Sequence, residues 1–334
     1  MYHPQTESIM TLTEKYRQQI ESELERLVRD RRPEGLYAPV SYVLSLGGKR
    51  IRPVLCLLGC ALYNAERVKD SLYPALGLEV FHNFTLLHDD IMDQSDMRRN
   101  RPTVHRKWDN NTAILSGDAM TILAYQLVAR GPSESLRAVL ELFSRTGLEV
   151  CEGQQYDMEF EQSSSVGVKD YLEMIRLKTA VLLGASLQTG ALIGGAGEAQ
   201  AQALYRFGIA AGIAFQLQDD WLDVYGDAAT FGKNIGGDII NNKKTFLLLQ
   251  ALESLSPAGR AELQSWISRS DYDREEKIAA VRNLYDQVNV SDTARKLMDS
   301  YHQEALAHLQ AAGGKAQVAD ELKDFARGLM ERVR

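Results

Sequence analysis

Proline is nearly missing from this chain, with 8 residues in 334, and cysteine more so, with 3. An interior proline costs a helix about 3 kcal/mol, so its scarcity leaves long helices open. The thiols are Cys56, Cys60 and Cys151. Cys56 and Cys60 stand four apart in an apolar run, with no zinc-ligand spacing around them, and read as buried thiols of a reducing compartment. Excess positive charge is missing too. A formal net charge of −7 argues against a nucleic-acid partner. Residues 1–8 lack a basic stretch followed by an apolar one, so no signal peptide is expected. The most apolar stretch, Ala180–Ala196, is interrupted by Ser186, Gln188, Thr189 and several glycines, and is too short and polar for a membrane span. These absences predict a soluble, cytoplasmic protein with no stable membrane insertion.

What the chain does have is helical periodicity. With 45% hydrophobic and 25% charged residues it can bury a large core. Apolar positions recur every three to four residues and no segment alternates for long. Glu14–Arg29 is amphipathic. Arg52–Tyr63, Leu72–His88, Tyr205–Leu217 and Asp170–Gly194 are apolar most of the way round, as interior helices are. Leu136–Glu161 is another long candidate, and the last ~80 residues look like charged outer helices. Breaks fall at Arg31–Gly35, Gly131–Pro132, Ser163–Gly167, Gly226–Gly237, Ser254–Gly259 and Ala311–Gly314. None is long enough for an interdomain linker. The expectation is one all-α domain, its helices packed around a central cavity.

Two acidic clusters then stand out, each closing an apolar helix. The first runs His88-Asp89-Asp90-Ile91-Met92-Asp93-Gln94-Ser95-Asp96, and the second Gln218-Asp219-Asp220-Trp221-Leu222-Asp223. Asp89 and Asp93, like Asp219 and Asp223, are four apart and share a helix face. Carboxylates at a helix C-terminus face the negative end of its dipole and cost roughly 0.3–1 kcal/mol each. Like charges at this spacing add a few tenths more. Two such clusters call for a compensating cation, and all-oxygen ligation suits Mg²⁺ shared with substrate phosphates. Basic residues supply the counterpart: Gly47-Gly48-Lys49-Arg50-Ile51-Arg52-Pro53, Arg98-Arg99, Lys178-Thr179, Gly232-Lys233 and Asn242-Lys243-Lys244-Thr245. Together they suggest two diphosphates, one held through Mg²⁺ and one by Lys and Arg directly.

In this order, GGKRIRP, HDDIMDQSDMRRNRPTVH, GQQYD (Gly153–Asp157), LKTA, FQLQDDWLD and GKNIGGDIINNKKT resemble the motifs of the trans-isoprenyl diphosphate synthases, the farnesyl and geranylgeranyl diphosphate synthases among them. The resemblance spans nearly the whole chain. It implies an isoprenoid synthase bundle around a deep central active-site cavity, a single polyprenyl synthetase domain over residues 1–334, and a homodimer. It further implies that Asp89, Asp90, Asp93, Asp219, Asp220 and Asp223 hold three Mg²⁺ ions gripping an allylic diphosphate, aided by Arg98, Lys178, Lys233 and Lys243. Isopentenyl diphosphate would bind without metal at Lys49, Arg52, His82 and Arg99. Lys178, Thr179 and Gln216 would face the reacting carbon. One departure is Asn100, where a glycine often follows the paired arginines; Asn tolerates the left-handed conformation well. Asp96 is an additional acid without an assigned role.

Three rivals are weighed against this. A class I terpene cyclase normally carries an Asn/Ser/Glu second metal motif and needs no isopentenyl diphosphate pocket. A non-catalytic partner subunit could lose its acidic motifs, and both are intact. Glu79-Val80-Phe81-His82 fits a di-iron Glu-x-x-His motif, but that architecture needs two. Product length is read from the helix before Asp89. Phe84 and Thr85 lie five and four residues before it, and Phe81 about a turn deeper, at ~5.4 Å or roughly one isoprene unit per turn. In the family, bulky residues here form the floor that stops elongation. A lone aromatic at Phe84, without an insertion in the Asp motif, resembles the archaeal geranylgeranyl synthases. The expected product has fifteen to twenty carbons, with twenty favoured.

Overall fold

The computed structural model describes residues 11–163, 165–226 and 235–330. Extended structure among them is one two-residue ladder, Met97–Arg98 against Arg101–Pro102. The remaining regular structure is helical, in agreement with the all-α expectation. The chain divides into two compact units, each discontinuous in sequence.

The first unit takes the described residues up to Ser144, with Ala185–Leu204 and Ala312–Leu322. Its helices are α1 (Leu12–Leu27), α2 (Glu34–Ser45), α3 (Ile51–Tyr63), α4 (Val68–Met92), the short α5 (Val104–Lys107) and α6 (Asn110–Val128), with the start of α7 (Ser133–Gln162). Helix α1 opens on a capping box of Thr11 and Glu14 and buries the four-spaced stripe Tyr16, Ile20 and Leu24. Helix α3 is buried on every side from Pro53 to Leu62, including Cys56 and Cys60. Helix α4 packs along α3 and α6. Glycine lets α3 meet the segment after residue 185 backbone to backbone. A Cβ on Gly59 would run into the Leu187 carbonyl oxygen, and one on Gly190 into that of Cys56.

The second unit takes Arg145–Gly184, Tyr205–Ala311 and the residues from Lys323 on. It holds the rest of α7, then α8 (Val168–Ile175), parts of α9 (Val181–Gly194) and α10 (Glu198–Tyr225), α11 (Gly237–Ile240), α12 (Phe246–Ser254), α13 (Pro257–Ser268), α14 (Arg274–Gln287) and α15 (Val290–Ala312). Tyr171, Leu217, Trp221, Phe246, Trp266 and Leu284 belong to its core. The single helix expected over Asp170–Gly194 is interrupted: Arg176–Ala180 form a π-helical turn between α8 and α9. Gly153 of α7 lies directly against the Lys178 backbone, where any Cβ would collide. Such a turn re-aims side chains by one residue and often marks a functional site. Val168–Gly194 is long and apolar enough by composition to cross a membrane, yet 78% of its apolar window is buried in the protein, as in a core helix.

Candidate active site

Helix α4 ends inside the first acidic cluster. The Gln94 N–H donates to the Ile91 carbonyl (3.2 Å) and the Ser95 N–H to that of Asp90 (3.0 Å), which closes the helix in a Schellman motif. Its left-handed position is filled by Gln94 (φ 51°) rather than glycine, a strain of order 1 kcal/mol at the mouth of the cluster. Asp93 caps the helix and is exposed, one turn from half-buried Asp89. Asp90 is turned inward and only 5% exposed. It accepts from Arg98 Nε at 2.8 Å, and Arg98 Nη2 stands 3.5 Å from Asp89 Oδ2. Burial raises the Asp90 carboxyl to about 6, although Arg98 pulls it down. Arg98 and Arg101 face each other across a hairpin whose two turn residues, Arg99 (φ 52°) and Asn100 (φ 59°), are both left-handed, as a type I′ turn requires. Asn100 therefore does what the usual glycine does. Asp96, unassigned from sequence, pairs with Arg106 at 2.6 Å and accepts the Thr103 N–H on its carbonyl.

The cationic loop before α3 belongs to the same unit. Arg99 donates to the Gly47 carbonyl, and its guanidinium lies where a Cβ on Gly48 would be. Arg52 Nη1 is 3.0 Å from His82 Nε2. Burial, then the charges of Arg52 and Arg99, push His82 well below its ordinary value, so a neutral ring accepts from Arg52. Arg52 Nε is buried without a hydrogen-bond partner, and Lys49 is exposed beside it in sequence. Burial and the neighbouring Arg99 also lower Arg52, opposed by Glu79. Glu79 is no metal ligand here: it is spent on Arg50 at 2.9 Å in a fully buried ion pair, which removes the di-iron reading. A cation cluster with one buried acid and an orphaned donor offers charge-assisted hydrogen bonds that an anion could accept without a metal.

The second acidic cluster closes α10, in the other unit. Asp219 and Asp223 are half-buried, and Asp223 Oδ2 accepts the Asp238 N–H at 2.8 Å. Asp220 is 3% exposed, accepting from the Tyr171 hydroxyl and from Gln216 Nε2 (3.1 Å). Burial raises it to about 6 against the pull of Lys243. Thr179 Oγ1 donates to Gln216 Oε1 at 3.3 Å, and Lys178 Nζ meets Asp157 Oδ2 at 2.6 Å. The π turn carries both Lys178 and Thr179. Lys243 is exposed; Lys233 lies outside the described residues. Asp157, the last residue of GQQYD, and Tyr171 join these groups, and of the two only Asp157 lies in a motif legible in the sequence.

Below the first acidic end, Phe84 meets His88 edge to face (4.9 Å between ring centroids) and Phe81 in a tilted contact (5.4 Å). Phe81 is buried and meets Phe143 at 5.2 Å, which in turn meets Tyr125 at 4.8 Å. Thr85 spends its hydroxyl on the His82 carbonyl of its own helix (2.8 Å). The aromatic cluster of α4 is thus continued by Tyr125 of α6 and Phe143 of α7.

Among the described residues no three His, Cys, Asp or Glu side chains converge to enclose a metal ion by themselves. The donors offered are one-turn carboxylate pairs, and one or two carboxylates completed by phosphate oxygens and water are what Mg²⁺ takes. The residues fit Mg²⁺ in that mode.

Residues 33–285 match the family model described as polyprenyl synthetase. A geranylgeranyl pyrophosphate synthase from Geoglobus acetivorans is 37% identical over 94% of this chain and 96% of its own. A geranylfarnesyl diphosphate synthase from Natronomonas pharaonis is 37% identical over 80% of this chain and 81% of its own. A crystal structure of a geranylgeranyl pyrophosphate synthase, 44% identical, superposes with a TM-score of 0.91 over 97% of this chain and all of that one. The chain belongs to the polyprenyl synthetase family and is a prenyltransferase, a trans-isoprenyl diphosphate synthase.

Proposed function

We propose that this enzyme condenses isopentenyl diphosphate with an allylic diphosphate (dimethylallyl, geranyl or farnesyl), releases inorganic diphosphate, and makes chiefly the twenty-carbon geranylgeranyl diphosphate, with the fifteen-carbon farnesyl diphosphate as the shorter product. The observation that carries this is the double use of α4. Its end offers Asp89 and Asp93 for a diphosphate carried by metal, and about two turns below, His82 faces Arg52 beside Lys49 and Arg99 for one bound without metal. A terpene cyclase needs only the first.

Asp89, Asp93, Asp219 and Asp223 would hold Mg²⁺, three ions by the family resemblance, with Asp90 and Asp220 buried behind them. Bound there, Mg²⁺ supplies Lewis-acid stabilisation of the charge on the departing diphosphate. Arg98, Lys178, Lys233 and Lys243 hold the allylic diphosphate, and Lys49, Arg52, His82 and Arg99 hold isopentenyl diphosphate. As the allylic C1–O bond breaks, the oxygen dipoles of Gln216 and Thr179 and the Lys178 carbonyl stabilise the cation. The double bond of isopentenyl diphosphate attacks C1, a carbon–carbon bond forms, and a proton passes to an oxygen of the released diphosphate. Apolar walls such as Phe84 exclude the water that would quench the cation. Residues 1–334 act as one catalytic domain, cytoplasmic and water-soluble. Ile114, Leu115 and Ile122, respectively 45, 60 and 62% exposed on α6, support burial of that helix in a homodimer.

The test is to supply isopentenyl diphosphate with each allylic primer and MgCl₂, following diphosphate release and product mass. Release from an allylic diphosphate alone, without elongation, would mean a cyclase.

A further inference from the structure

The two ends of a glutamine side chain differ only in what they can give. The amide nitrogen donates and the carbonyl oxygen accepts, so a neighbour that can only accept decides which end it meets. Gln216, one turn before Asp220 on α10, has such a neighbour. An ionised carboxylate offers acceptors alone, and Gln216 Nε2 donates to Asp220 Oδ1 at 3.1 Å. The carbonyl end is thereby turned away, toward the Thr179 hydroxyl on the π turn (3.3 Å). Asp220 cannot rotate out of this role while the Tyr171 hydroxyl holds its other oxygen, Oδ2. Tyr171 is itself only 2% exposed and belongs to the buried core cluster that also holds Ile175, Leu217 and Trp221, so its ring is held in the protein interior.

We propose that Tyr171 and Asp220 are positioning residues for the condensation, fixing the Gln216 amide so that its carbonyl oxygen, together with Thr179, is presented to the allylic cation. The assignment rests on the reading of Gln216 and Thr179 as cation-facing groups. It gives Asp220 a different task from Asp219 and Asp223, whose carboxylates are less buried on the same helix end. Neither Tyr171 nor Asp220 touches the reacting carbon in this scheme. Their effect passes through one dipole, preorganised before the charge develops.

The test is steady-state kinetics on Tyr171→Phe, Gln216→Leu and the double variant, with the Mg²⁺ dependence and the melting temperature of each. Tyr171→Phe keeps the ring and deletes only the hydroxyl. It should lower kcat about ten- to a hundredfold, the usual cost of removing a group that orients a functional side chain. KM for both diphosphates and the half-saturating Mg²⁺ concentration should stay at the wild-type values. In the Gln216→Leu background the same substitution should cost nothing, because there is no amide left to orient. Equal losses in both backgrounds would overturn the proposal, as would a raised Mg²⁺ requirement in Tyr171→Phe, which would put Asp220 with the metal. Wild-type kcat in Gln216→Leu would instead overturn the underlying reading and the proposal with it. If Tyr171→Phe melts early, Asp220→Asn serves in its place. An asparagine can present either end of its amide and so frees Gln216 to flip, and the same loss of kcat is expected, again absent in the Gln216→Leu background.

Discussion

Glu79→Ala tests how the pocket proposed for isopentenyl diphosphate is held together. Arg50 Nη1 meets Glu79 Oε1 at 2.9 Å with side chains 4% and 3% exposed, so neither charge is hydrated. Arg50 Nη2 also donates to the Leu44 carbonyl at 2.5 Å, and Asn83 Nδ2 donates to Glu79 Oε1 at 3.0 Å. Deleting the carboxylate leaves the guanidinium buried with one carbonyl for company, which typically costs 3–5 kcal/mol. Asn83 keeps its bond to the Glu79 backbone carbonyl, so its share adds about 1 kcal/mol at most. A loss of about 4 kcal/mol is a large part of the 5–15 kcal/mol that domains possess. Arg50→Met with Glu79→Leu removes both charges and refills the volume, a replacement that is often neutral or stabilising. Urea unfolding should therefore show the single variant strongly destabilised and the double variant within about 1–2 kcal/mol of wild type.

Function should not recover with stability. Arg50 sits in the left-handed region (φ 50°) between Lys49 and Arg52, and its inward guanidinium pins that backbone. Without the pin, a non-glycine residue gains of order 1 kcal/mol by leaving the conformation. KM for isopentenyl diphosphate should rise in both variants while KM for the allylic primer holds. A single variant that loses less than about 1 kcal/mol would refute the burial argument. A double variant with wild-type KM would refute the pin.

Asp89→Ala or Asp219→Ala should cut kcat roughly a thousandfold or more, since metal stabilisation of the leaving charge is worth several kcal/mol; the metal-free proteins should melt no earlier than wild type, because each loses like-charge repulsion worth a few tenths of a kcal/mol. Near-normal turnover in either would sink the metal assignment. Phe84→Ala should lengthen the product by at least one isoprene unit, and Phe84→Ala with Phe81→Ala by more, read by mass spectrometry; an unchanged product in the double variant would move the floor to Phe143, Tyr125 or the dimer partner. His82 is held neutral in the folded protein, so below its unfolded value of about 6.5 the unfolded chain binds a proton that the native state does not. Stability then falls with falling pH by up to about 1.4 kcal/mol per unit, and His82→Gln should flatten that slope between about pH 6.5 and 5.5; parallel urea-unfolding profiles would contradict it.

What could be read before folding was whatever carries its physics locally. Asp89 with Asp93, and Asp219 with Asp223, announce themselves because carboxylates stacked one turn apart at a negative helix end are unfavourable without a ligand. Asn100 was legible as a left-handed residue for the same reason: the conformation is decided by its own side chain. The interior helices followed from periodicity: α3 and α4 begin and end within four residues of the expected bounds, whereas α10 starts seven residues earlier and ends eight later, and the helix expected over Asp170–Gly194 is broken by the π turn. The unreadable part is where a partner lies far along the chain. Glu79 looked like half of a metal motif because Arg50, 29 residues earlier, gives no sign that it turns inward. Lys178 and Asp157 are joined across two helices by a π turn that contains no proline or glycine to betray it. Asp90 and Asp220 show the limit most clearly. In sequence each is indistinguishable from its neighbour in the Asp-Asp pair, and successive residues on a helix point about 100° apart. Rotation alone turns the second aspartate of each pair into the protein, where Arg98 takes one and Tyr171 and Gln216 take the other. The motif specifies two carboxylates, and the packing behind each helix gives the inner one a different occupation.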